Sequence, residues 1–168
     1  SGSLTLSGTN TYSGLTTVET GTLVNNGTIA GDVTVDSGAT LAGGETIGGW
    51  IYDVLSGRFC HAIRGGGAYI DDERITARTT GQNPPVAAIS LLFADAAKRE
   101  ALRTHIAPHY TTVDIPRCAA EQDPRLVLGV NDLSIFERTL AWDHAAGVLF
   151  LNEAGGMAAR VDGSAYRV

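Results

Sequence analysis

Residues 142–163 read WDHAAGVLFLNEAGGMAARVDG, and this stretch decides the fold of the second part of the chain. Apolar residues recur at helical spacing from Asp143 to Ala154, which predicts a helix with one buried face. Gly155-Gly156 is expected to end that helix, because glycine adopts the left-handed conformation found after many helices. Residues 157–161 then predict a final strand with a turn at Asp162-Gly163. The apolar positions expected on the buried face are Ala146, Leu149, Phe150 and Ala154.

Upstream of this stretch, short apolar runs alternate with helical patterns. The predicted strands are residues 50–54, 59–63, 68–70, 87–93, 111–115 and 133–137. The predicted helices are residues 96–106, with Asp95 as the N-cap, and residues 119–130, broken at Gly129. Alternation of strand and helix predicts an α/β unit over residues 50–168 with a mixed or largely parallel sheet.

Residues 1–49 have a different composition, with no Lys or Arg and many Gly and Thr. Short Thr/Val/Leu runs are separated by turns such as Gly8-Thr9-Asn10 and Asn25-Asn26-Gly27. Strands of about three residues with a turn every six to ten residues are typical of β-solenoid rungs. The sequence therefore predicts two domains, an all-β, solenoid-like strip over residues 1–49 and an α/β part over residues 50–168.

Composition excludes several classes of protein. The net charge of −6, with all the basic residues after residue 49, provides no basic face for duplex nucleic acid. Cys60 and Cys118 are too few for a disulfide scaffold, and we expect two buried free thiols. No apolar run reaches the ~18 residues that span a bilayer, and no signal peptide is recognised at the start of the sequence.

The N-terminal text LTLSGTNTYSGLTTVETGTL resembles the autotransporter-associated passenger repeat, above all at residues 10–14, Thr17-Val18 and residues 21–23. The resemblance implies a right-handed parallel β-helix. Two roles remain open for it: surface display, which would place the chain outside the cell, or a structural strip beside another domain. About two rungs should be marginally stable, and exposed sheet edges favour homo-oligomers.

The second part resembles the C-terminal half of the inositol monophosphatase family. The matching motifs are YDVLSGR at residues 52–58, RGGGA at 64–68, WDHAAG at 142–147, EAGG at 153–156 and DG at 162–163. The resemblance implies a layered α/β half-fold. It also implies Mg²⁺-dependent hydrolysis of a small phosphorylated polyol by a metal-activated water, in the cytoplasm.

The resemblance places one Mg²⁺ ligand at Asp143, the aspartate of the family's Trp-Asp motif. A plain N-cap aspartate is the alternative. Glu137 is a candidate for contacting substrate hydroxyls, although it could equally be a solvated charge at a strand end. Ala119 and Ala120 correspond to the family's small-residue segment along the substrate pocket. His144 could face the substrate, with a capped surface histidine as the alternative.

The family's Asp-Pro-x-Asp-Gly-Thr motif and an upstream Glu-Glu pair are expected before Trp50, where the β-repeat stands instead. A single carboxylate is a poor binding site for several Mg²⁺ ions. We therefore assign no catalytic residue and expect weak or no Mg²⁺ binding and little or no phosphatase activity. A truncated or chimeric family member is one hypothesis, and a structural β-repeat protein is the other.

Overall fold

The computed structural model describes residues 2–43 and 46–166, with the side chains of residues 26 and 40–43 excepted. The described residues form two compact units, residues 2–43 and Thr46–Tyr166. No helix in these two ranges is long and apolar enough to cross a membrane.

The first unit contains only β-strands among its described residues. They are β1 (Ser3–Asn10), β2 (Thr16–Val18), β3 (Thr22–Ile29), β4 (Val33–Val35) and β5 (Thr40–Gly43). The pairing is parallel throughout, in the order β1-β3-β5 in one sheet and β2-β4 in another. Leu4 lies opposite Leu23, and Leu23 lies opposite Leu41, so leucines share one register position across three neighbouring strands.

Two predicted turns are wrong, because Gly8-Thr9-Asn10 and residues 25–27 lie inside eight-residue strands. Gly8 has φ +75° within β1 and is paired with Gly27. A Cβ on Gly27 would lie 1.9 Å from the Gly8 carbonyl oxygen, so the two backbones approach closely only because Gly27 lacks a side chain. The pairing of β1 with β3 continues through both glycines.

An antiparallel sheet begins the second unit. Its strands are β6 (Gly48–Asp53), β7 (Arg58–Ile63), β8 (Gly67–Ile70) and β9 (Glu73–Ile75), paired in chain order. The first three strands were predicted, whereas β9 was not, because its sequence Glu-Arg-Ile has a single apolar residue. One face carries the buried Ile51, Cys60 and Ala62, as the two-residue period requires.

A second, parallel sheet follows, with β10 (Val86–Ile89) between β11 (Thr111–Val113) and β12 (Leu133–Ile135). The expectation of one mixed or largely parallel sheet is therefore wrong, since the strands form two sheets of different type. The helices are α1 (Ala96–Ala101), α2 (Ala119–Val127) and α3 (Ala141–Glu153). Helix α1 continues into the π-helical segment Leu102–Ile106 and the 3₁₀ turn Ala107–His109.

Helix α3 supplies much of the hydrophobic core of the second unit. Phe150 is 1% exposed, and Leu149 and Ala154 lie in the same buried cluster as Val127 of α2 and Cys60 of β7. The buried face predicted for α3 is confirmed. A Cβ on Gly49 would lie 2.8 Å from the Ala146 Cα, so β6 and α3 meet through a residue without a side chain.

One predicted strand and one predicted strand end are wrong. Residues 157–161 form no strand, and only an isolated bridge joins Ala159 to Ala165. The strand predicted to reach Phe93 ends at Ile89. Leu92 and Phe93 are about half exposed, and the Arg138 guanidinium lies 3.7 Å from the centre of the Phe93 ring. Phe93 is therefore held by a cation–π contact outside the sheet.

Candidate functional site

The candidate site lies where the parallel strands β10 and β12 end. Side chains that follow parallel strands gather at the carboxyl edge of the sheet, where α/β proteins commonly bind ligands. The Ser90 amide donates to the Ile135 carbonyl over 2.8 Å, which keeps the two exit segments side by side. Asp95 then caps α1 by accepting from the Lys98 amide at 2.8 Å, as the sequence predicted.

Asp143 lies in the first turn of α3 and is exposed. The N-cap of this helix is Leu140, so the alternative of a plain N-cap aspartate is wrong. The Asp143 amide donates to the Leu140 carbonyl at 3.0 Å. In the described part of the chain the Asp143 carboxylate has no hydrogen-bond or ion-pair partner, and a carboxylate in a first turn is favoured by the helix dipole. It is therefore free to bind a cation.

His144 is 5% exposed, so the alternative of a surface histidine is wrong. Its ring packs edge-on against Phe136, with the ring centres 4.7 Å apart. Burial lowers the pKa of His144, which outweighs a hydrogen bond to the Arg138 backbone and the charge of Asp143, both of which raise it. The imidazole is therefore neutral at pH 7.

Glu137 follows β12 and forms an ion pair with Lys98 of α1, so it is not a solvated charge without a partner. This hydrogen bond and the charge of Glu137 raise the pKa of Lys98. Ala119 and Ala120 form the first turn of α2, where Ala120 packs against the core. Cys118, directly before them, is exposed, so the expectation of a buried thiol is wrong there and confirmed for Cys60.

The structure brings some of the predicted residues together and leaves others apart. Phe136 links the segment of Glu137 to His144, which is adjacent to Asp143 in the chain. In residues 2–43 and 46–166, no hydrogen bond or ion pair joins Asp143 to Glu137, Ala119 or Ala120. Nor does any group of three His, Cys, Asp or Glu residues in these ranges converge as a metal site would. The residues present therefore do not fit a complete Mg²⁺ centre, which usually uses several carboxylates.

A cleft of about 530 Å³ lies beside His144 and is lined by Asp123, Ser134 and Tyr166 among others. Asp123 is 4% exposed, and its Oδ2 atom has no hydrogen-bond partner among the described residues. Burial raises the pKa of the Asp123 carboxyl to about 7. Sequence reasoning missed this residue, although a charged residue inside an amphipathic helix was a visible signal.

Gln122 and Asn131 form a buried hydrogen-bond network next to Asp123. Gln122 Nε2 donates to Asn131 Oδ1 at 2.8 Å and to Ser134 Oγ at 2.7 Å. Asn131 Nδ2 donates to the Leu133 carbonyl at 2.8 Å. These bonds join α2, whose first turn carries Ala119 and Ala120, to β12 and to Asn131 before it.

Two of the sequence motifs meet through Glu153, the first residue of EAGG. Glu153 Oε1 accepts from the Gly65 amide at 2.8 Å, and Oε2 accepts from the Gly67 amide at 2.9 Å. These backbone bonds lower the pKa of Glu153. The glycine triplet of RGGGA is therefore a hairpin turn that binds a side chain of the same chain.

Comparisons with known proteins agree with this structure. The inositol monophosphatase family matches residues 30–168, which begins inside the first unit. Inositol-1-monophosphatase of Bacillus subtilis (strain 168) is 30% identical over 122 residues, covering 70% of this chain and 46% of that protein. The chain therefore spans about half the length of this relative.

Solved structures show the same α/β fold. Inositol monophosphatase II from Staphylococcus aureus MSSA476 aligns with a TM-score of 0.63 and 21% identity, over 71% of this chain and 47% of that one. The extragenic suppressor protein suhB from Bartonella henselae aligns with a TM-score of 0.61 and 24% identity, over 72% and 48%. By sequence match and fold, the chain belongs to the inositol monophosphatase family.

Proposed function

We propose that residues 50–168 are the C-terminal half of a Mg²⁺-dependent phosphomonoesterase acting on a small phosphorylated polyol. The exposed Asp143 carboxylate in the first turn of α3, in a chain that belongs to this family, carries the proposal. In a complete site, Mg²⁺ would hold the phosphate and activate a water. Asp143 would supply one oxygen ligand, and the free amides of the first turn would favour a nearby anion.

The remaining predicted residues would act on the substrate side. Glu137 would accept from a substrate hydroxyl in exchange for part of its ion pair with Lys98. The small side chains of Ala119 and Ala120 would leave room for the polyol. His144, neutral at pH 7, would border the substrate from the cleft side. We expect this phosphatase part to act in the cytoplasm.

As a single chain, the protein is expected to have little phosphatase activity, because a lone carboxylate does not hold the metal ions that the reaction needs. The test is phosphate release from inositol 1-phosphate and 4-nitrophenyl phosphate with Mg²⁺. We expect release at the background rate. Turnover at the ordinary enzyme rate of about 1–10³ s⁻¹ would refute the expected inactivity. If that turnover were lost in Asp143→Asn and kept in the control Asp72→Asn, the result would support the site at Asp143.

For the first unit we propose a structural role, as a β-solenoid strip related to the autotransporter passenger repeat. The parallel ladders, and the register that places Leu4, Leu23 and Leu41 opposite one another, support this proposal. Strands β1 and β5 are the outer strands of their sheet, and outer strands favour self-association. Light scattering over a range of concentrations tests it, since a strictly monomeric chain would argue against pairing through these strands.

A further inference from the structure

The cleft of about 530 Å³ beside His144 combines an apolar lining with a buried acid. Its apolar side chains come from α2, from α3 and from the segments that follow β12 and α3: Leu126, Val148, Leu151, Phe136, Met157 and Tyr166. All of these residues belong to the second unit. Small-molecule sites are mostly apolar, contain a few polar groups and have volumes in this range. The cleft therefore has the size and the lining of a site for a small organic ligand.

Two acidic residues are among the described residues that line the cleft, and they differ in their partners. The Asp132 carboxylate accepts from the Thr80 and Val86 amides at 2.7 and 2.8 Å, and it also accepts from the Thr80 hydroxyl. Asp123 is 4% exposed, and no hydrogen bond or ion pair reaches its carboxyl group from residues 2–43 or 46–166. A buried polar group without a partner is rare in folded proteins, because its desolvation is not compensated. Asp123 is therefore the acid that a ligand in the cleft would bind.

The environment of Asp123 favours a cationic ligand over a neutral one. Burial raises the pKa of its carboxyl to about 7, and no neighbouring cation acts against this effect. At pH 8 the carboxyl is mostly ionised, so the folded chain holds a negative charge beside an apolar lining. An ammonium group would compensate this charge through charge-assisted hydrogen bonds, whereas a neutral hydroxyl would donate one bond and leave the charge uncompensated.

The cationic residues of the lining, Arg78 and Arg160, do not occupy this position. Both are exposed, and neither forms an ion pair with Asp123 in the described part of the chain. The Arg160 guanidinium lies 5.9 Å from the centre of the Tyr166 ring. Because exposed charges are screened by water and salt, these two groups oppose a buried ammonium group only weakly.

We propose that this cleft binds a small primary amine with an apolar body, whose ammonium group donates to the Asp123 carboxylate. The apolar body packs against the side chains of α2 and α3 that line the cleft, and an aromatic body would also contact the Phe136 and Tyr166 rings. The inference does not rest on the proposed phosphatase function, because it uses neither Asp143 nor Mg²⁺.

The probe is 2-phenylethylamine, and 2-phenylethanol is its neutral counterpart of nearly the same size. Both are titrated by calorimetry at pH 8, without metal, into the wild type, Asp123→Asn, Asp143→Asn and the exposed control Asp72→Asn. We expect the wild type to bind the amine with a Kd of about 1 mM or tighter, an affinity within reach of so small a ligand. Asp123→Asn should raise this Kd about tenfold or more, to the level of the alcohol, because a hydrogen bond to a charged group is lost. Asp143→Asn and Asp72→Asn should stay within about twofold of the wild type, since neither residue lines the cleft.

Several outcomes would overturn the proposal. They are no binding of the amine by the wild type up to about 10 mM, equal binding by Asp123→Asn, and equal affinity for the amine and the alcohol. Loss of amine binding in Asp143→Asn instead of Asp123→Asn would place the ammonium group at the exposed aspartate and would overturn it as well. Circular dichroism confirms that the variants are folded.

A second measurement locates the ligand in the wild type and needs no variant. Amide NMR shifts caused by the amine should be largest at the cleft residues of α2, β12 and α3. Shifts that are largest on strands β6–β9 instead would overturn the location. Failure of the phosphatase proposal is seen separately, as no effect of Asp143→Asn on any Mg²⁺-dependent property of the chain.

Discussion

At the scale of single residues, Asp123 couples protonation to folding. Its pKa is about 7 in the folded chain because of burial, compared with an ordinary value of 3.8. The folded state therefore binds the proton more tightly than the unfolded state does. The contribution of protonated Asp123 to the free energy of unfolding is fully present below about pH 4 and is lost as the pH rises through about 7. Above that pH the folded chain carries a buried negative charge at Asp123.

Replacing Asp123 with Asn should remove this dependence. One pKa unit corresponds to about 1.4 kcal/mol, so we expect a gain of about 1–4 kcal/mol in the free energy of unfolding at pH 8 and little change at pH 4. Urea unfolding at both pH values measures it, with exposed Asp72→Asn as the control. An identical pH dependence in Asp123→Asn and the wild type would show that Asp123 is not the responsible group.

Glu153 is the residue that holds the 65–67 turn. Glu153→Ala leaves the Gly65 and Gly67 amides without their acceptor and should cost about 1–3 kcal/mol at pH 7. Because its folded pKa is lowered, the contribution is present above the ordinary value of 4.5 and is lost as the pH falls through the folded value. The measurement is chemical unfolding of Glu153→Ala compared with Glu73→Ala, a control at an exposed position on β9. Equal stability of the two variants would contradict the prediction.

At the scale of elements, the crossing of α2 and α3 depends on Gly147. A Cβ at this position would lie 1.7 Å from Asp123 Oδ2 and 2.7 Å from Asp123 Cβ. Gly147→Ala should gain about 1 kcal/mol of helix propensity but lose more to overpacking, for a net cost of about 1–3 kcal/mol.

The control is the same substitution in an Asp123→Ala background, where the two closest atoms are gone. We expect the cost of Gly147→Ala to fall there, and a double-mutant cycle of unfolding free energies gives the coupling. A cost that is unchanged in the Asp123→Ala background would place the strain elsewhere.

Local signals explain which elements were predictable. The β6–β8 hairpins and α3 were found because their periodicity and their glycine or aspartate turns are readable within a few residues. The predicted strand at 157–161 and the predicted single sheet are wrong, because strand pairing depends on residues far apart in sequence.

At the scale of the whole molecule, the chain combines half of a family fold with a β-unit. The sequence motifs identified the family and placed Asp143 in the first turn of a helix. They did not reveal that His144 is buried or that Glu137 is paired with Lys98, since both depend on packing between segments. The metal and substrate roles of these residues remain predictions until they are measured.

Magnesium should therefore have almost no effect on the stability of the chain. If the single carboxylate binds Mg²⁺ with a Kd of about 10 mM or weaker, 10 mM Mg²⁺ would raise the free energy of unfolding by at most about 0.4 kcal/mol, by mass action. The measurement is the Tm with MgCl₂, compared with an equal ionic strength of NaCl. A rise of several degrees that Asp143→Asn abolishes would reveal ligands beyond Asp143.

The bonds from Glu153 to the 65–67 turn join positions 86 and 88 residues apart. Translation adds about 5–20 residues per second, so the turn is synthesised about 4–18 s before its carboxylate partner. During that interval the hairpin amides have only water as an acceptor. Ribosome stalling before codon 153 should thus yield a nascent chain whose hairpin is accessible to protease, and release of the stall should close it.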